Sequence, residues 1–137
     1  MTQVDAYFAT LCSYLGLTAR DLAEMGEFSE RFARDLLAGR RPFPKDVQQE
    51  IIKLRAEIDE VVPLLVEIIR KNDPKIYIYK TLKQYRAAPI YKVWPTAFLG
   101  PYRVAAMRAL EKANEAGLEA YLVFPRMPHV PEEADDE

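Results

Sequence analysis

The chain has little of the material from which catalytic and metal sites are built. Its 137 residues include one cysteine, one histidine, one tryptophan and five glycines. Cys12 cannot close an internal disulfide, and its place in an apolar helical stripe reads as a small buried hydrophobe. His129 sits among Pro125, Pro128 and Pro131, so a histidine-based acid/base pair or triad has nowhere to assemble. No Cys/His spacing fits a metal, and no glycine-rich loop is placed to cradle a phosphate. No apolar run approaches the thickness of a bilayer, and the N-terminus lacks a basic-plus-apolar leader pattern. The expectation is a protein of the cytoplasm that is not an enzyme, with no cofactor, no metal and no membrane.

What is present is enough apolar material for a packed core, at 50% of residues, and an uneven charge. The net charge of −2 hides a basic middle. Residues 1–55 balance eight basic against eight acidic side chains, whereas 70–112 hold ten basic (among them Lys80, Lys83 and Arg86) against Asp73 and Glu111. The compensating acid lies in 56–69 and in the last six residues. A field of this kind steers polyanions. Lys80 and Lys83 are therefore candidate phosphate contacts, or else partners of the acidic face of the preceding helix.

Residues 17–44, LTARDLAEMGEFSERFARDLLAGRRPFP, carry the most information. Thr18 suits a helix N-cap, with Leu22, Ala23 and Met25 facing inward. A break follows at Gly26-Glu27. Ser29 then caps a second short helix with Phe32, Ala33, Leu36 and Leu37 inward and Glu30, Arg31 and Arg34 outward, closed by Gly39. Two short helices across a tight turn are the device that sets a recognition helix into the DNA major groove. On that reading Arg31 and Arg34 address base edges, since guanidinium donates bidentately to guanine, and Ser29 holds a phosphate. Glu30 suits either a cytosine amino group or the positive end of its own helix. Arg40, Arg41 and Lys45 follow the helix and suit backbone phosphates. The plain alternative is a solvated αα-hairpin whose Arg31 and Arg34 pair with Asp35 or Glu27.

The order Leu17-Thr18, Leu22-Ala23-Glu24, Ser29, Ala33, Leu36 and Gly39-Arg40-Arg41-Pro42 resembles the Cro/phage-repressor-like (XRE) helix-turn-helix family. There are departures: Ala19 stands where the family has glutamine, and Gly26 comes one place early, which leaves Glu27 at the position needing a positive φ. More faintly, 15–124 resembles the anti-CRISPR-associated autorepressors and related small phage repressors in its order of elements. The resemblance implies a sequence-specific repressor of phage or mobile-element origin, working in the host cytoplasm, and a homodimer on a double-stranded DNA operator. Thr18 joins the candidate DNA contacts on the same ground. Two alternatives stay open: a monomeric immunity repressor with a second DNA surface in 73–124, and an antitoxin or adaptor whose main partner is a protein.

The pattern predicts a mainly α fold with a small β-sheet (α+β). A helix over 3–15 uses Val4, Tyr7, Phe8, Leu11, Cys12 and Leu15, and an amphipathic helix over 45–72 is expected to kink or break at Pro63. Residues 76–79 and 90–94 are β-prone, 81–87 form a helical turn or two, 101–116 a helix, and 119–124 a closing strand. The domains expected are 1–72, a helix-turn-helix unit, 73–124, a dimerisation or accessory DNA-binding region, and 125–137, a disordered acidic tail. Tyr77, Tyr79 and Trp94 are candidate dimer anchors, because a short apolar strand edge invites pairing and aromatics dominate small interfaces.

Overall fold

A computed structural model describes residues 2–71, 73–94 and 96–130. It is mostly helical with one small sheet, in the order α1 (Gln3–Tyr14), α2 (Ala19–Gly26), α3 (Glu30–Leu37), α4 (Lys45–Lys71), β1 (Lys75–Tyr77), α5 (Leu82–Ala87), α6 (Pro89–Val93), α7 (Leu99–Glu115) and β2 (Tyr121–Val123). The chain gathers into two compact units, Met1–Glu57 and Ile58–Glu137.

In the first unit α3 packs against α1 and α2. Phe8, Leu11, Cys12, Leu15, Leu22, Ala33, Leu36, Val47, Ile51 and Leu54 are buried there. Phe8, Leu11, Cys12 and Leu15 of the expected stripe are buried, and the departure is confined to the N-terminal part of α1. Asp5, Phe8 and Cys12 face inward, so Val4 and Tyr7 lie about half exposed. The cause is the start of the helix: Thr2 and Asp5 form a reciprocal capping box, and Asp5 is drawn inside by a second bond to Phe43.

The second compact unit begins within α4, at Ile58. The reason is packing: Leu65 and Ile69 are buried and line the same cavity as Ile76 and Tyr102. Helix α4 runs through Pro63 without the expected break. Pro63 and Asp59 both lie on the exposed face, where the Asp59 carbonyl, denied a proline N–H, can be hydrated. The strands pair in parallel, Lys75 with Tyr121, Ile76 with Leu122 and Tyr77 with Val123, and α7 packs on both.

The β-prone run at 90–94 is a helix. Pro89 occupies the first turn of α6, where its fixed φ and missing N–H cost nothing, and this outweighs the β propensity of Ile90, Tyr91 and Val93. Residues 125–130 belong to the fold: Val130 is buried and its N–H donates to the Met127 carbonyl at 3.0 Å. The rest of the expected acidic tail lies outside the described residues.

The aromatics of the basic middle form a core. Tyr85 stacks on Tyr102 at 4.9 Å, and Tyr79 lies 5.8 Å from Tyr102. Burial pushes the Tyr79 hydroxyl up to about 12 and raises those of Tyr85 and Tyr102 further. Tyr102 instead donates to the Tyr77 carbonyl at 2.6 Å. Among the described residues no helix is long and apolar enough to cross a membrane.

Candidate nucleic-acid interface

Local chemistry dictates the helix-turn-helix. The Asp21 N–H donates to Thr18 Oγ1 at 3.1 Å, and the Thr18 N–H donates back to Asp21 Oδ2 at 3.1 Å, closing a capping box. Helix α2 ends as Glu27 turns left-handed (φ 57°, ψ 47°), which lets the Phe28 N–H reach the Ala23 carbonyl at 3.1 Å. The early glycine has a separate cause. The Phe28 ring occupies the space where a Cβ on Gly26 would stand, so a side chain there would push that ring from its place, while Glu27 bears the left-handed backbone.

Ser29 Oγ accepts the Phe32 N–H at 3.0 Å and starts α3. Phe28 meets Phe32 edge-on at 4.8 Å, which ties the turn to the helix it precedes. Ala33 and Leu36 are buried, Phe32 and Leu37 half-buried, and Ser29, Glu30, Arg31 and Arg34 exposed. Gly39, at φ 78°, closes the helix with the Arg40 N–H on the Asp35 carbonyl at 2.8 Å.

The basic side chains then divide. Asp35 pairs with Arg40 at 3.1 Å and with Arg41 at 3.8 Å, and the Arg41 guanidinium also lies over the Phe32 ring at 5.5 Å. Arg31 and Arg34 make no ion pair or side-chain hydrogen bond among the described residues. Of the two carboxylates offered to them by the plain alternative, Asp35 is held by Arg40 and Arg41, and Glu27 pairs with neither arginine among the described residues. Two guanidiniums three residues apart stand on the outer face of α3, a geometry that can donate to base edges. Lys45, at the start of α4, is exposed.

Sequence reasoning missed the residue that fixes the loop after α3. Asp5 Oδ1 accepts the Phe43 N–H at 2.9 Å, Gln48 Nε2 donates to the Phe43 carbonyl at 2.9 Å, and the buried Phe43 ring lies 5.9 Å from Phe8. The Phe43 N–H, helped by the Thr2 hydroxyl, holds the Asp5 carboxyl below its ordinary value. A Thr-x-x-Asp box at residues 2–5, repeating the one at 18–21, was the legible signal.

In the second unit Lys80 and Lys83 are exposed, and the Lys80 ammonium lies 5.6 Å from the centre of the Phe124 ring. Several cations of the basic middle have internal partners: Arg108 with Asp59 at 2.9 Å, Arg70 with Glu67 at 3.3 Å, Arg86 with the Ala97 carbonyl at 2.8 Å, and Arg103 with the Tyr79 carbonyl. Of the candidate dimer anchors, Tyr79 and Trp94 are buried within this unit and only Tyr77 is exposed. Burial within one chain removes Tyr79 and Trp94 as ready contact surfaces. No known family model matches the chain, and no curated protein matches it.

Proposed function

We propose that the chain is a sequence-specific DNA-binding repressor that reads an operator through α3, and not an enzyme. The observation that carries this reading is the division of arginines. Arg40 and Arg41 are taken up by Asp35, while Arg31 and Arg34 stand exposed on the second helix of a tight two-helix unit without an acidic partner among the described residues. Ser29 and the N-terminus of α3 suit a phosphate beside them, with Thr18 and Lys45 as further backbone contacts. Phage or mobile-element origin, a homodimer and work in the host cytoplasm belong to the same proposal and rest on the resemblance to small phage repressors.

Selection of bound duplexes from a random DNA library, followed by affinity measurement in a salt series, tests it. The expected result is a short preferred site; an inverted repeat with half-sites about one turn, or roughly 34 Å, apart supports the dimer. Enrichment of no sequence overturns the proposal. A non-palindromic site bound by a monomer replaces the dimer by the two-surface reading, and a protein that co-purifies with the chain while no DNA is selected favours the adaptor.

A further inference from the structure

We propose that the second unit binds a small amphipathic anion, an apolar body bearing a carboxylate, in a cavity of about 600 Å³. The inference is independent of the DNA reading, since it uses only residues 65–129. The volume falls within the roughly 300–1,000 Å³ of small-molecule sites. Ile69, Ile76 and Tyr102 give a buried apolar floor, and the Tyr102 hydroxyl is already spent on the Tyr77 carbonyl. Ile68, Tyr77 and Val93 line the same cavity while remaining 42%, 39% and 63% exposed, so its mouth is apolar and wet.

Among the described residues the charged side chains that line the cavity have one sign. Lys75 and Arg126 are the charged lining residues among those described, both exposed, and His129, three residues after Arg126, also lines the cavity. Among the described residues no aspartate or glutamate lines the cavity, and the carboxylate of nearby Asp73 accepts the Lys75 backbone N–H at 3.1 Å. An apolar body on the floor releases water from both surfaces, while its carboxylate stays at the cationic rim without being fully desolvated. A neutral molecule of the same body forgoes the rim, and a cationic one is repelled by it.

Three probes with one body separate these terms: octanoate, octanol and octylammonium, titrated into the full chain and followed by the methyl resonances of Ile69, Ile76 and Val93. Octanoate is expected to shift those methyls saturably and to bind about fivefold more tightly than octanol, with octylammonium weakest. The Lys75→Gln/Arg126→Gln variant replaces two exposed side chains and should lose the preference for octanoate while keeping the binding of octanol. Equal affinity for octanoate and octanol, or no saturable shift, overturns the proposal. A concentration-dependent dimer that shields these methyls and excludes octanoate overturns it too, and assigns the cavity to a second copy.

Discussion

Asp5 and Phe43, separated by 38 residues, are joined by a buried hydrogen bond of 2.9 Å from the Phe43 N–H to the Asp5 carboxylate. The bond links the first turn of α1 to the loop that follows the candidate recognition helix. A carboxylate inside the fold is costly unless its oxygens are satisfied; here Oδ1 takes Phe43 and Oδ2 takes the Thr2 hydroxyl at 2.7 Å. The sequence places these residues far apart, and only the fold reveals the bond.

The first prediction follows from that carboxylate. Its pKa is held below the ordinary 3.8, so the ionised group stabilises the fold above the unfolded value, and this contribution is lost as pH falls through the folded one. Asp5→Asn should be less stable than the parent near neutrality, with the gap closing in acid, and Asp5→Ala should lose more. Urea denaturation followed by circular dichroism on both sides of that range checks it. A gap independent of pH assigns the loss to packing and not to ionisation.

Glu27 supplies the second prediction. A left-handed residue with a side chain costs roughly 1–2 kcal/mol, part of which glycine recovers. Glu27→Gly should stabilise the protein by about 1 kcal/mol. Gly26→Ala should destabilise it, because the new Cβ collides with the Phe28 ring. Thermal melts of the two variants should therefore move in opposite directions.

The helix-turn-helix was legible because its signals are local. Thr18, Ser29 and Gly39 act on backbone groups within a few residues of themselves, and Glu27 was marked by the misplaced glycine. The second unit was less legible. Apolar runs such as 90–94 fit strand and helix alike, and here Pro89 starts a helix. The role of 125–130 depends on long-range packing, which proline-rich composition does not announce. The partners of Arg86, Arg103 and Arg108 lie 11, 24 and 49 residues away, so a charge count overstated the cations available to a polyanion.

Cys12 provides an independent probe of the first unit. Its thiol is fully buried, and burial pushes its pKa up to about 12, so the reactive thiolate is scarce as well as inaccessible. Native protein should resist a thiol reagent and react only through opening of the structure, at a rate that rises with denaturant. Asp5→Ala should speed that reaction, since it loosens the bond between α1 and the 39–44 loop. Fast labelling of the native parent protein contradicts this burial.

The last prediction separates the arginines and rests on the proposed DNA reading. Arg31→Ala and Arg34→Ala remove exposed guanidiniums that have no internal partner among the described residues, so neither should alter stability by more than about 0.5 kcal/mol. Each should cost roughly 1–3 kcal/mol in operator binding and relax discrimination at one base pair, as loss of a bidentate contact does. Arg40→Ala and Arg41→Ala instead break pairs with Asp35, worth up to about 1 kcal/mol at the surface. Where they also touch phosphate, they should weaken selected and scrambled duplexes alike and lower the salt slope by about 1. Lys80→Ala/Lys83→Ala belongs in the same salt series. A reduced slope brings the second unit into contact with DNA, and an unchanged one leaves the contact to the first. If Arg31→Ala and Arg34→Ala both keep full discrimination between selected and scrambled DNA, α3 is not the reading helix. The exposed guanidiniums are then ordinary solvated side chains.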